Sequence, residues 1–372
     1  MILGAGFGGL ELATRLSALA DELHVTLIDQ SDSFIFGFSK LEILFGRANT
    51  DEVRSYYRDI RKPGVEFRRE HVVSIEASSR RVTTDRNSYE ADVLVVALGA
   101  DYEPTATPGF VEGGYEFYSV AGAERLRGAL DDFRGGSIVI AVLSVPFKCP
   151  PAPYEATLLL HDYLVERDLR SRSQIHVFTP MESPIPVSKD TSEAIVQALA
   201  DRDIGYTPGR RVRSIDPTTR TAQLKDQEIP YDLFIGIPVH RVPEVVAASG
   251  LTAGGTDGWI AVDKRTLMTP YDGVYALGDV ADAPVPRAGV FAESAARAAA
   301  GQIAAHLQRG PDGKPYDGVG ACYIEFGSGL VGKVDADFLS GPTPKAPFIE
   351  PSIEITREKQ AFAESRRARW FS

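Results

Sequence analysis

Cysteine is nearly absent from this sequence: 372 residues hold two, Cys149 and Cys322. So few exclude a secreted disulfide framework, and no cluster has metal-ligand spacing, so no metal site is expected. Basic excess is missing as well. Lys and Arg number 40 against 51 Asp and Glu, a formal net charge of −11. That balance opposes the broad phosphate neutralisation that nucleic-acid binding needs. Long apolar runs are lacking: Gly135 to Phe147, the longest uncharged stretch beside an expected strand, falls short of the roughly 20 residues that span a bilayer. No charged and apolar leader precedes Gly4, so the expected compartment is cytoplasmic, although a first strand normally carries more residues before its glycines. What remains, 44% apolar and 24% charged, is ordinary globular composition with length for about two or three domains.

The first chemistry-bearing pattern stands at the start. Met1-Ile2-Leu3 reads as the end of a buried strand, followed by Gly4-Ala5-Gly6-Phe7-Gly8-Gly9. Leu10, Leu12, Ala13, Leu16, Leu19 and Ala20 then recur at helical spacing, and Val25 to Ile28 forms a second strand ending at Asp29. This is a βαβ unit with the G-x-G-x-x-G pattern on Gly4, Gly6 and Gly9. Gly4 permits the tight turn, Gly6 lets backbone approach a pyrophosphate, and Gly9 allows close helix–strand packing. The helix N-terminus offers free N–H groups to phosphates, and Asp29, 20 residues beyond Gly9, can bind ribose hydroxyls.

Two further strand ends match that unit. Tyr89 to Ala100 is an apolar strand ending in a small-residue turn at Gly99. Thr269 to Asp279 is another, ending in Gly278-Asp279 and followed by an Ala-rich helix from about 288 to 307. Such an end can aim Asp279 at a ribityl chain and a helix dipole at a flavin ring edge. With these three elements the sequence resembles the two-dinucleotide-binding-domain flavoproteins of the pyridine nucleotide–disulfide oxidoreductase superfamily. The resemblance implies an α/β fold with two Rossmann-like, three-layer domains and a C-terminal α+β interface domain. It divides the chain into a split FAD-binding domain (1–108 and 232–310), an inserted NAD-binding-like domain (109–231) and the interface domain (311–372).

The inserted domain lacks its own fingerprint. Strand Ile138 to Leu143 is followed by Ser144-Val145-Pro146-Phe147-Lys148-Cys149-Pro150-Pro151, with no glycine. Val145 and Phe147 would block approach to a pyrophosphate. The next strand, Gln174 to Phe178, ends in Thr179-Pro180 rather than an acid. A working nicotinamide site is therefore not expected.

Cys149 occupies that loop, beside Lys148 and just before a helix expected over 154–169, both of which favour a thiolate. The run Cys149-Pro150-Pro151-Ala152-Pro153-Tyr154-Glu155, with the later Cys322-Tyr323, resembles the flavoprotein subunit of flavocytochrome c sulfide dehydrogenase and the related sulfide:quinone oxidoreductases. The resemblance implies that Cys149 and Cys322 meet over the flavin as a redox disulfide, with Glu155 handling a proton. It implies sulfide as the substrate and a quinone or other redox partner as acceptor, with Lys148 a candidate to stabilise a thiolate. Each cysteine read without the resemblance is also compatible with a buried small hydrophobe, and Glu155 with a simple partner of its helix dipole. Phe34 to Leu44 contains no cysteine for covalent attachment, so FAD is expected to be non-covalent. No third cysteine exists for building a sulfur chain.

Two other classes compete: a type II NAD(P)H:quinone reductase, and a flavin–disulfide redox sensor or partner subunit without turnover. The tail 355–372 mixes Arg357, Lys359, Arg366, Arg367 and Arg369 with Phe362, Trp370 and Phe371. It reads as a surface helix covering the interface domain, with peripheral contact to the cytoplasmic membrane as the alternative. Nothing in the sequence sets the oligomeric state.

Overall fold

The computed structural model describes residues 1–19, 21, 23–311 and 313–372; Ala20, part of the expected apolar spacing, lies outside them. Strand β1 (Ile2–Leu3) turns at Gly4 into helix α1 (Phe7–Leu16), which buries Leu10, Leu12, Ala13 and Leu16. Then come β2 (Val25–Asp29), α2 (Ser39–Leu44), β3 (Val65–Arg69) and β4 (Leu94–Val96). The strands run parallel, with Ile2 facing Leu27 on one side and Val95 on the other, and β3 bordering β2. All three residues of β4 are buried, as a parallel sheet covered on both faces requires. The apolar stretch expected as one strand over 89–100 is broken in two. Ser88–Glu90 joins a separate antiparallel sheet, because Glu90 and Asp92 are too polar for the centre of the parallel one.

Strand β5 (Asp101–Glu103) leads into the inserted domain. It contains α3 (Val120–Asp132), β6 (Gly136–Val142), α4 (Ala152–Glu166), β7 (Ser173–Phe178), α5 (Lys189–Ala200), β8 (Gly205–Thr207) and β9 (Leu233–Ile237). These strands form a second parallel sheet in the order β8-β7-β6-β9. The expected domain boundary between 231 and 232 therefore falls one strand early. Residues 233–237 pair with 138–142 and belong to the insert, because their wholly buried run needs a parallel neighbour on that sheet. Strand β10 (Val239–Arg241) then pairs antiparallel with β5, so one two-stranded ribbon carries the chain both into and out of the insert.

The first sheet is completed by β11 (Val274–Ala276), set beside β4. Helix α6 (Gly289–His306) lies close against α1; a Cβ on Gly8 would sit 2.3 Å from the Leu277 side chain and 3.5 Å from the Ala292 carbonyl. The chain ends in an antiparallel sheet, β12 (Val319–Gly327), β13 (Leu330–Asp337) and β14 (Phe348–Ser352), and in helix α7 (Ile353–Phe371). Ser352 caps α7 by accepting the Ile355 N–H at 3.2 Å.

Helix α7 does not lie loosely over the interface sheet. Trp370 is 0% exposed, set edge-on to Phe7 and Phe34 and stacked on Phe36, and its indole N–H donates to Glu11 at 2.8 Å. Arg369 bridges Glu11 and Glu293 at 2.7 Å, and Arg366 adds a second link to Glu293. Both carboxylates are buried, so the arginines supply the countercharge that burial demands. Trp370 thus serves the core of the first domain and is not presented to an outside surface. Among the described residues no helix is long and apolar enough to cross a membrane.

Candidate active site

A cavity of about 310 Å³ opens where all three parts of the fold converge. The turn Gly6–Gly8 and the N-terminus of α1 form one wall, and Gly99, Gly278 and Asp279 at the ends of β4 and β11 form the next. The N-terminus of α6 adds Ala288 and Gly289. The inserted domain contributes Lys148, Cys149 and Glu155, strand β12 contributes Cys322, and α7 contributes Lys359 and Phe362.

The glycines have distinct geometries. Gly4 has φ +97°, and a Cβ there would lie 2.3 Å from the Ala97 carbonyl oxygen; on Gly9 it would lie 1.9 Å from that of Gly4. On Gly6 it would meet nothing within 4 Å, because that glycine faces open space. Neither α1 nor α6 has a side-chain cap, so their first-turn N–H groups remain available to a ligand. Gly4, Gly9 and Asp29 stand behind the cavity wall. Asp29 accepts the Ala5 and Ser31 N–H groups, each at 2.8 Å, and so ties the glycine turn to the end of β2.

Asp279 is the clearest sign of a missing partner. Its Oδ1 is buried with no hydrogen bond among the described residues. Burial raises the carboxyl above its usual range, against the pull of Lys148, Arg287 and Lys40.

Cys149 and Cys322 are both free thiols. Cys149 takes the left-handed backbone conformation, φ +51°, which costs a non-glycine residue about 1 kcal/mol. Its N–H donates to the Arg287 carbonyl at 2.7 Å, a link from the insert to the loop before α6. The expectation of a favoured thiolate is overturned. Burial pushes Cys149 well above a normal thiol, with Glu155 and Cys322 adding repulsion; the Ala152 N–H at the start of α4 and Lys359 pull the other way and lose. Burial likewise raises Cys322 to about 12. The Lys148 ammonium donates to Ala100 O at 2.9 Å and lies 4.4 Å from the centre of the Tyr102 ring, and it is not a leading influence on Cys149.

Glu155, on the first turn of α4, is 3% exposed, and burial raises it to about 7. Its Oε1 accepts the Glu325 N–H at 3.1 Å. Glu325 is ionised instead: burial alone would raise it, but Lys359 at 2.6 Å and Arg47 at 3.2 Å hold it below the usual range. His240, between the Tyr102 and Tyr118 rings, is lowered by burial to about 3 and is a neutral imidazole at physiological pH.

Several of these residues escaped the sequence reading. Lys40 lies in the stretch 34–44, where no motif marks it. Lys359 was counted with the basic tail; its spacing of three from Phe362, which places both on one helix face, was the available signal. Glu325 and Arg47 carried no local signal.

Two dinucleotide-binding-type sheets, a glycine turn at a helix start and a strand end with an unpartnered buried aspartate define a flavoprotein oxidoreductase, for which FAD is the cofactor. The residues present fit it: the Gly6 turn and α1 would hold the pyrophosphate, Asp279 a ribityl hydroxyl, and the α6 N-terminus the ring edge.

Comparison with known proteins agrees with that class. The family model for pyridine nucleotide–disulphide oxidoreductases matches residues 1–143, and that for the central region of the sulfide dehydrogenase (flavocytochrome c) flavoprotein chain matches 123–238. The mitochondrial sulfide:quinone oxidoreductase of Mus musculus is 25% identical, over 96% of this chain and 82% of its own length. The sulfide-quinone reductase of Aquifex aeolicus is 25% identical, over 88% of this chain and 81% of its own. The solved structure of the Aquifex aeolicus sulfide:quinone oxidoreductase has the same fold, with a TM-score of 0.88 and 23% identity, covering 99% of this chain and 91% of that one. Over residues 1–143 the chain is thus similar to the pyridine nucleotide–disulphide oxidoreductases, over 123–238 to the sulfide dehydrogenase flavoprotein chains, and over most of its length to sulfide:quinone oxidoreductases.

Proposed function

We propose that this chain oxidises sulfide through a Cys149–Cys322 redox pair, with non-covalent FAD as the resident cofactor and a quinone as the electron acceptor. What carries the reading is the meeting of Cys149, Cys322 and Glu155, drawn from two parts of the fold, in the cavity that also holds Gly278 and Asp279.

When the pair is a disulfide, hydrosulfide attacks one cysteine sulfur. The S–S bond breaks, the attacked cysteine carries the persulfide, and the other leaves as a thiolate. The proton lost by hydrogen sulfide goes to a Glu155 oxygen, whose pKa of about 7 suits a base that takes and returns a proton near neutrality. A thiolate formed in so buried a place is poorly solvated and strongly basic, hence a strong nucleophile. FAD, when bound, supplies the two-electron acceptor for the cysteine pair.

A second cavity, of about 400 Å³, adjoins the first and shares Val290, Ala321, Tyr323 and Phe362 with it. Tyr323 and Phe362 stand where it meets the first cavity and offer aromatic faces to a planar acceptor, while Glu293, Arg297, Glu358 and Arg366 make the rest of its lining polar; quinone is the acceptor named for the mouse and Aquifex relatives. A membrane quinone would require peripheral contact with the bilayer, in a cytoplasmic setting.

The loop after β6 favours this reading over a nicotinamide reductase. Phe147 is buried there, and Thr179, where an acid would anchor a ribose, is fully buried. Anaerobic stopped-flow with sulfide and NADH side by side is the test. Sulfide should bleach the flavin within the turnover time and NADH should not. Bleaching by NADH alone would establish the reductase reading, and bleaching by neither the redox sensor.

A further inference from the structure

Lys40 sits on the first turn of α2 and lines the cofactor cavity together with Lys148, Cys149 and Tyr118. The other cations there have partners. Lys148 donates to Ala100 O at 2.9 Å, Lys359 to Glu325 at 2.6 Å, and Arg287 to Asp279 O at 3.1 Å. Among the described residues the Lys40 ammonium makes no hydrogen bond or salt bridge. An ammonium held in a protein cavity is costly without an acceptor beside it, and the described residues supply none to Lys40, so the position favours an anion. The charges acting on it are the repulsion of Lys148 and the attraction of Glu116, Cys149 and Asp279, and burial lowers it to about 8, still mostly charged at neutral pH.

We propose that Lys40 captures the anionic sulfur species of the reaction, hydrosulfide or a persulfide, and keeps it beside Cys149. This rests on the sulfur chemistry proposed above and adds the charge class of the substrate: the site takes an anion. The same ammonium attracts a thiolate at Cys149.

The test needs no sulfide. Holoenzyme with its cysteines reduced is treated with iodoacetate or iodoacetamide, reagents of similar size that differ by one negative charge, and alkylation at Cys149 is followed by mass spectrometry. Lys40→Met and Lys40→Gln should lower the iodoacetate-to-iodoacetamide rate ratio at least about tenfold, the effect of one unit charge acting from about 12 Å at an effective dielectric of about 20. Lys40→Arg should restore it. An unchanged ratio in either charge-free variant with full FAD content overturns the proposal. Loss of FAD from both overturns it too, and makes Lys40 a cofactor contact. If the ratio falls but sulfide fails to bleach the wild-type flavin, the anion site stands and the sulfide reading fails. If sulfide bleaches and the ratio does not move, the Lys40 inference alone fails.

Discussion

Glu155 accepts the backbone N–H of Glu325 at 3.1 Å, which ties the first turn of α4 to the strand that carries Cys322. This hydrogen bond joins the two segments that supply the cysteines, and its acceptor is the raised carboxyl proposed as the base. Glu155→Gln keeps an acceptor for Glu325 and removes the titration. Sulfide-driven flavin reduction should fall by about 10²- to 10⁴-fold, the usual worth of a positioned base. In the wild type the base is inactive when protonated, so the rate should rise with pH through about 7. The ratio of wild-type to variant rates isolates this limb from the titration of sulfide itself, and a pH-independent ratio would exclude Glu155 as the base.

The same group makes a stability prediction. The folded pKa of about 7 lies above the ordinary value of 4.5, so the folded state prefers the protonated form. That contribution is complete below about 4.5 and is lost as pH rises through 7, amounting to about 3 kcal/mol for a buried group. Glu155→Gln has no such loss. Denaturation at pH 5 and pH 8 should show the variant gaining on the wild type at the higher pH.

Burial and the Glu155 charge both oppose thiolates at Cys149 and Cys322. In reduced protein at pH 8, alkylation of Cys322 by iodoacetamide should be at least about a hundredfold slower than that of a free thiol. Cys149→Ser and Cys322→Ser should each abolish bleaching by sulfide and leave one titratable thiol after oxidation. Full activity in either would exclude the redox pair.

Gly6 and Gly9 separate cofactor binding from folding. Gly6→Ala places its Cβ in open space, so the chain should fold but lose FAD, which a folded circular dichroism spectrum with reduced flavin absorbance would show. Gly9→Ala places a Cβ 1.9 Å from the Gly4 carbonyl oxygen, so soluble yield and FAD should fall together.

Trp370 anchors the last turn of α7 to the first domain, and Trp370→Ala should cost about 3–5 kcal/mol by loss of a fully buried ring. Phe371→Ala, at a half-buried neighbour, should cost much less. Equal losses in thermal unfolding would mean that α7 is not held through the indole.

The first βαβ unit, the strand ending at Gly278-Asp279, the glycine-free loop of the insert and the cysteine run were readable in the sequence. Each depends on local rules: glycine where backbone must approach, period 3.6 or buried apolar runs in between, and an acid at a strand end. Glu155 was readable as a candidate because it lies six residues beyond Cys149 on the same segment. The state of the site was not readable. Lys148 adjoins Cys149 in sequence and suggested thiolate stabilisation, but a side chain goes where its best partner lies, and Ala100 O came from another domain. Lys359 and Lys40, which do act on Cys149, come from helices near opposite ends of the chain. The insert's last strand was misassigned for a related reason, since Leu233–Ile237 is apolar enough for either sheet and only pairing with β6 decides. The residue types and turns that make a flavin fold were a property of the sequence alone. Desolvation, which set the ionisation of both thiols and of Glu155, is a property of what surrounds a group, and only the tertiary structure supplied those surroundings.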